Sequence, residues 1–373
     1  MKNKNIGVLT FPIGNAGITP LSNLLDIICS ISRETYLITG NDGYLYFRND
    51  GRFITYGIDH EYGTNVFTRV LKYIRTQLKI SYNIVKIYKS VDIWVFFIGG
   101  EFLIFPMLTS KLLNKKVVLI YPGSITQSLK SKNDMFFNLA SIVSKINCNL
   151  SDRIVLYSHI FVEQWNLNSY INKISISHRH FLDFNKFFVK KHFSEKNNSI
   201  GYIGRFSNEK GTMNFVKSIP LLLEKTDCLN FLLIGDGNLK SEIIDFLDKN
   251  GLANRVEITG WIQHEDLPNY LNNLKLVVLP SYTEGLPNLM LESMACGTPV
   301  LATSVGAIPD VIKDGETGFI MKDNSPDCIA KSIIRALEHP DLELIVENAR
   351  KLICTKFTYE FATENYRQII ENI

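Results

Sequence analysis

The feature that most limits what this chain can fold into is an alternation kept up over nearly its whole length: a short apolar run rich in Val and Ile, a turn, then a stretch with helical periodicity. Strands apolar on both sides must be covered on both sides, and helices between them impose right-handed crossovers. The pattern therefore predicts parallel sheets in an α/β fold. In the first half the strand candidates are Ile6–Thr10, Thr35–Thr39, Ile93–Ile98, Val117–Tyr121 and Arg153–Tyr157, with helical candidates such as Phe102–Leu113 and Met135–Ile146. In the second half they are Ser199–Ile203, Asn230–Ile234, Val256–Thr259, Lys275–Pro280 and Pro299–Thr303, separated by helical candidates Thr212–Lys225, Leu239–Lys249, His264–Asn272 and Asn288–Cys296. Between the halves, DFNKFFVKKHFSEKNNS (183–199) is polar and without a clean period, the texture of a linker. Two doubly wound domains in series place a cleft between them, faced by the carboxyl-end loops of each sheet.

Composition narrows the class. The 373 residues are 46% hydrophobic and 21% charged, too apolar for disorder, too charged for a multi-span membrane protein, and long enough for about two domains. A formal charge of only +3 argues against a dedicated nucleic-acid binder. That sum hides a gradient: residues 1–190 hold 22 Lys+Arg against 12 Asp+Glu, a balance of +10, and residues 191–373 hold 18 against 25, or −7. The six cysteines lie far apart, with no C-x-x-C pair and no His cluster at ligand spacing, which predicts a reduced compartment and no metal site. The apolar run Ile6–Phe11 is too short for a signal-peptide core and reads as a first buried strand. Ile93–Leu108, the most apolar segment, is shorter than a membrane span and is broken by Gly99-Gly100-Glu101 and Pro106. It reads as a buried strand running into a buried helix.

Three loops carry chemistry. The first strand of the second half ends in Gly204-Arg205-Phe206-Ser207-Asn208-Glu209-Lys210-Gly211. At the carboxyl edge of a sheet, Arg205 can offer a bidentate fork, Lys210 a point charge and Gly211 close backbone approach, which is what a diphosphate site needs. The next strand ends in Gly235-Asp236-Gly237, but Lys240 stands where a dinucleotide fingerprint has its third glycine, so a tight turn and a ligand contact both stay open. The third stretch, Ser281–Thr303 (SYTEGLPNLMLESMACGTPVLAT), places Glu284 just before a helix beginning near Pro287, and Glu292 inside that helix. Amides from Gly285 to Asn288 at its N-terminus form a ready anion site. A carboxylate before that helix suits sugar hydroxyls rather than phosphate, and Glu292, about one and a half turns in, can reach a ribose diol. Leu289, Met290, Leu291, Met294 and Ala295 make the helix apolar nearly all round, so Glu292 is expected to be partly buried and to have a partner.

These residues resemble the family 4 (group 1) glycosyltransferases, retaining enzymes of GT-B fold that use nucleotide sugars. The resemblance runs through GYIGRFSNEKG, LLIGDG, ITGWIQHEDLPNYL, LPSYTEGLPNLMLESMACGTPVLAT and GAIPDVIKDGETGFI, with the E-x7-E motif followed by A-x-G-x-P at Ala295, Gly297 and Pro299. It implies an α/β GT-B fold, two doubly wound Rossmann-like domains facing a central cleft. An acceptor-binding domain would span 1–185, a donor-binding domain 186–356, and a helix over 357–373 would cross back to the first domain. It implies that Arg205 and Lys210 hold the donor diphosphate, with Gly204 at the same loop, that Glu284 contacts the donor sugar, that Gly285, Leu286 and Pro287 line the phosphates, and that Glu292 holds the ribose. Trp261 and Ile262 would flank the base, and Gly14 and Gly17 correspond to the family's glycine-rich loop after the first strand. The chain departs from the family at Tyr121-Pro122-Gly123-Ser124, where many members have a His near the reacting sugar, and at His178–Asp183, where Pro-Asn-Gly-Val-Asp is usual.

The activity implied is that of a retaining, hexosyltransferase-type enzyme that moves a sugar from a UDP-sugar or GDP-sugar to a glycan or lipid-linked acceptor hydroxyl. It would work in surface polysaccharide or glycolipid synthesis, with no cofactor and no metal; no Asp-x-Asp motif occurs. A non-catalytic sugar-nucleotide-binding subunit and an epimerase of the same architecture are the alternatives. In the basic half, Val70–Ser90 interleaves Lys72, Arg75, Lys79, Lys86 and Lys89 with Leu, Ile and Tyr. Two readings stand side by side: peripheral attachment of a cytoplasmic protein to an anionic membrane surface, and an ordinary surface helix packed on its sheet.

Overall fold

The computed structural model describes residues 4–61, 63–121 and 137–373. It divides into two compact units, one formed by residues 1–180 with 359–373 and the other by residues 181–358.

Unit 1 is built on a parallel seven-stranded sheet of β1 (Ile6–Leu9), β2 (Thr35–Gly40), β3 (Ile54–Ile58), β4 (Ile93–Phe96), β5 (Lys116–Tyr121), β6 (Arg153–Leu156) and β7 (Ile174–Ile176), in the order β3-β2-β1-β4-β5-β6-β7. The central strands are buried throughout, as IGVL in β1 and IWVF in β4 require. Helices α1 (Ile18–Ile31) and α2 (Val66–Ile87) supply crossovers. The expected strand Ile93–Ile98 stops at Phe96, because the backbone turns through positive φ at Ile98 (+26°) and Gly99 (+80°). The helix after it starts at Ile104 rather than Phe102. Its successor runs over Phe137–Leu150; the first two residues expected of it, Met135 and Phe136, lie outside the described residues, as do Pro122, Gly123 and Ser124. The terminal helix, Tyr359–Glu371, buries Tyr366, Ile369 and Ile370 on unit 1. Its position is fixed by Tyr359 Oη donating to the Asp26 carbonyl (2.9 Å), Lys4 Nζ to the Ile370 carbonyl (3.0 Å) and Arg153 Nη2 to the Asn372 carbonyl (3.1 Å).

Unit 2 repeats the plan with six parallel strands: β8 (Ser199–Ile203), β9 (Asn230–Ile234), β10 (Val256–Gly260), β11 (Leu276–Leu279), β12 (Val300–Thr303) and β13 (Phe319–Met321), in the order β10-β9-β8-β11-β12-β13. Chain direction of assembly reverses between β8 and β11. The crevice outside the carboxyl ends of those two strands is where such a sheet binds ligands. Helix α3 (Thr212–Leu223) follows β8, α4 (Leu267–Asn273) follows β10 and α5 (Asn288–Ala295) follows β11.

The stretch read as a linker is instead fastened to unit 2. Lys190 Nζ bonds Asn269 Oδ1 (2.7 Å), and the buried Lys196 ammonium donates to the carbonyls of Leu271, Asn272 and Cys296 and to Thr298 Oγ1. Part of its polarity serves tertiary hydrogen bonds. Among the described residues no helix is long and apolar enough to cross a membrane. None of the six cysteines forms a disulfide.

Candidate functional site

The β8 strand delivers its loop through Gly204, and that loop is shaped from beneath. Tyr202 Oη donates to the Arg205 carbonyl (2.9 Å) and lies 2.7 Å from Thr212 Oγ1, joining the start of the loop to the first residue of α3. Gly211, at φ +66°, closes it; a Cβ there would stand 2.0 Å from the Pro280 carbonyl oxygen, so only glycine lets the β8 loop meet the end of β11. The second loop is pinned in the same way. Gly306, at φ +61°, packs where a Cβ would be 2.1 Å from the Glu284 carbonyl oxygen, and Ala307 N–H donates to the Gly285 carbonyl (2.8 Å).

Held like this, the two loops bring Lys210 and Glu284 together: Nζ lies 2.7 Å from Oε1, and Ser281 Oγ donates to the same oxygen at 2.7 Å. The pair borders a cavity of about 230 Å³ lined also by Tyr202, Gly204, Pro287 and Asn288. Asn288 opens α5, so that helix presents its unpaired N-terminal amides and the positive end of its dipole there. A cation, a partly buried carboxylate and a helix N-terminus thus share one crevice at the β8/β11 switch point. Such a site can neutralise a phosphate and hold a hydroxyl-bearing group beside it.

Arg205 is placed differently. Its side chain is 63% exposed and pairs with Glu209 at 3.4 Å, a solvent-screened contact of little strength that leaves the guanidinium able to move. Trp261 is 67% exposed after β10, Leu286 is buried, and Gly285 is engaged through its carbonyl with Ala307. Asp236 closes a local turn, bonding Lys240 Nζ (2.8 Å) and Gly237 N–H (2.7 Å). Gly14 and Gly17 belong to unit 1, where Gly17 N–H donates to the Gly14 carbonyl (2.9 Å) in a tight turn between β1 and α1.

Glu292 is only 5% exposed and has a partner: His264 Nε2 lies 2.8 Å from its Oε1. Lys186 Nζ is 3.0 Å from the other ring nitrogen. An ammonium can only donate, so Nδ1 accepts and Nε2 carries the hydrogen directed at Glu292. Sequence reasoning singled out neither Lys186, hidden in the apparent linker, nor His264, one member of a polar QHED run. It also passed over Ser281, whose place three residues before Glu284 was the available signal.

The fold defines a class. HepE of Anabaena in complex with UDP matches this chain with a TM-score of 0.78, covering 98% of this chain and 100% of that one at 16% identity. The lipopolysaccharide outer core galactosyltransferase WaaB matches with 0.74, covering 99% of each at 19% identity. The chain has the GT-B fold. In sequence, residues 183–352 match the family described as glycosyl transferases group 1. Alpha-D-kanosaminyltransferase of Streptomyces kanamyceticus is 31% identical over 173 residues, 46% of this chain and 45% of that protein. The capsular polysaccharide biosynthesis glycosyltransferase CapM of Staphylococcus aureus is 31% identical over 186 residues, 49% of this chain and 48% of its own. The chain spans about half the length of these curated relatives. The resemblance read from the E-x7-E stretch is borne out.

Proposed function

We propose that the chain is a retaining glycosyltransferase of hexosyltransferase type that takes a sugar from a nucleoside diphosphate sugar and passes it to an acceptor hydroxyl. The observation that carries this reading is the Lys210–Glu284 pair at the mouth of α5, inside the region that matches the family. As the bond from the anomeric carbon to the diphosphate lengthens, negative charge collects on the leaving group and the sugar becomes oxocarbenium-like. Lys210 and the α5 amides, joined by a re-aimed Arg205, stabilise that charge where it develops. Glu284 exchanges its ammonium partner for the donor sugar's hydroxyls. Glu292, oriented by His264 and Lys186, accepts the ribose diol, with Trp261 and Ile262 beside the base. The scheme needs no metal because cations and helix supply the positive charge. UDP in the HepE structure supports a uridine donor and leaves a guanosine donor as the alternative.

Gly14 and Gly17 would approach the donor from unit 1, which would bind the acceptor. Tyr121, in the place of the usual His, is buried and its hydroxyl bonds Ser144 and Cys148, so it is not the acceptor-side base; a donor phosphate oxygen takes that proton. The same observation supports the second reading, a subunit that binds sugar nucleotides without turnover. CapM and WaaB, by name, support an acceptor in surface polysaccharide or glycolipid synthesis, and a cytoplasmic protein working at a membrane face. The test is incubation with UDP- and GDP-sugars, with and without glycan and lipid-linked acceptors. Acceptor-dependent release of nucleoside diphosphate is expected; donor binding without release under every condition would leave the binding subunit.

A further inference from the structure

Arg179 lies three residues beyond the end of β7, in the His178-Arg179-His180 segment that departs from the family pattern. Its residue is 7% exposed. Two of its nitrogens, Nε and Nη1, have no hydrogen-bond partner, and none of the ion pairs among the described residues includes it. An unpaired charge out of contact with water is among the most destabilising things a fold can hold, and a native one calls for a bound ion or water. The guanidinium stands over the Phe97 ring, 5.9 Å from its centroid, and His180 meets Tyr157 edge-on at 5.2 Å between centroids. The hydroxyls of Tyr157 and of Tyr366, from the terminal helix, are buried without a well-formed hydrogen bond, and the Tyr157 hydroxyl lies within reach of the Arg179 guanidinium. Both phenols feel the Arg179 charge, which opposes the rise in pKa that burial imposes on them. Burial holds His180 far below its ordinary range, with Arg179 adding to the effect, so the imidazole stays neutral.

What converges here is a buried guanidinium and two buried phenol hydroxyls, with no carboxylate paired to the guanidinium among the described residues. Phe97 directly follows β4, Tyr157 directly follows β6 and Arg179 follows β7, so the cluster stands at the carboxyl edge of the unit 1 sheet, where doubly wound folds take their ligands. We infer that Arg179, with the hydroxyls of Tyr157 and Tyr366, forms a binding site for a phosphate-class oxyanion in unit 1. Arginine's fixed fork matches tetrahedral oxyanions, and two phenol donors complete a cradle that no internal carboxylate fills. The phosphate can be free or esterified on a substrate; the chemistry is shared. Its residues belong to unit 1, whereas Lys210 and Glu284 belong to unit 2, and the inference does not rest on the function proposed for them.

The experiment uses the full chain carrying R205A and K210A, so that phosphate bound at the donor loops does not contribute. Inorganic phosphate and butyl phosphate are titrated calorimetrically at fixed ionic strength, with thermal unfolding in parallel. Both ligands are expected to bind and to raise the unfolding temperature with concentration. Tighter binding of inorganic phosphate marks a free anion and tighter binding of butyl phosphate an esterified one, either of which supports the site. Arg179→Met is expected to weaken binding at least tenfold and, without ligand, to unfold at no lower temperature, since the unpaired charge is gone. Should Arg179→Met not fold, Arg179→Lys, which keeps the charge and loses the fork, is expected to bind several-fold more weakly. Absence of phosphate binding by the parent, or binding unchanged in both variants, would overturn the inference.

Discussion

At the scale of residues, the site is a set of polar side chains whose partners come from distant sequence. Lys210 meets Glu284, 74 positions on, at 2.7 Å. In the proposed scheme, replacing Lys210 with Met removes a cation aimed at the leaving diphosphate. Loss of one such preorganised group costs about 100- to 1,000-fold in kcat, and steady-state release of nucleoside diphosphate reads it directly; activity within a few-fold of wild type would remove Lys210 from the scheme. His264 calls for a different signature, because it touches Glu292 rather than the reacting atoms. A hydrogen bond to a charged group is worth about 1.5–3 kcal/mol, so His264→Ala should raise the donor KM roughly ten-fold or more while leaving kcat near its starting value. His264→Gln, whose amide can replace Nε2–H, should recover much of that loss. Equal damage from Gln and Ala would mean that the imidazole matters only as packing.

At the scale of elements, two features can be tested without touching a proposed contact residue. Gly306 sits in the loop after β12, yet its missing Cβ is what allows that loop under Glu284. Gly306→Ala demands a left-handed backbone from a residue disfavoured there by about 1–2 kcal/mol and adds a clash with the Glu284 carbonyl. A lower melting temperature together with a raised donor KM is expected; an unchanged KM would show that the Glu284 loop is held by other means. Helix α2 shows both expected faces at once. Ile80, Ile84 and Ile87 are buried, whereas Phe67, Leu71, Leu78, Tyr82 and Val85 are exposed. At about 100° per residue the exposed five fall within roughly 60° of arc, with Arg75, Lys79 and Lys86 along one side. An apolar stripe flanked by cations is the form of an interfacial helix. Sedimentation with anionic liposomes at low salt is expected, and Phe67→Asp with Tyr82→Asp should abolish it with the circular dichroism unchanged. Failure of the unaltered chain to bind such vesicles would dispose of the membrane reading.

For the whole molecule, stability should depend on one buried acid. Glu101, in the turn after β4, is buried with Oε2 unpartnered, and burial pushes its carboxyl from near 4.5 up to about 7. The unfolded chain gives up this proton near the lower value and the folded chain only near the upper. Between them the folded state binds more protons, and stability falls as pH rises. The contribution is full below about 4.5 and lost above about 7, a change of order 3 kcal/mol. Glu101→Gln should flatten this part of the profile and be the more stable form at pH 8 in urea titrations; parallel profiles for both proteins would contradict it.

The alternation of apolar runs and helical periods was enough to read the α/β class, because a strand hidden on both faces leaves its mark in every residue. Ser199–Ile203 and Asn230–Ile234 were legible to the residue for this reason. The edge strands β3 and β7 were not, since ITYGI and ISI are half exposed and carry no continuous apolar signature. The residues of the two loops that frame the β8/β11 crevice were legible as well: glycines at positive φ, a cation after β8 and a carboxylate before α5 are local requirements of backbone and charge. Partnerships were not. That Lys186 fixes His264, that His264 holds Glu292, that an apparent linker is tied down by its lysines, and that Arg179 is buried with no ion-pair partner among the described residues are decided by which loops the sheet order brings side by side. Sequence by itself settled most of the elements and the chemistry each loop can offer, because those depend on neighbours along the chain. Only the tertiary structure settled which charges meet, because a hydrogen bond depends on distance in space, and residues 28 or 74 apart acquire one only when the strands between them have paired.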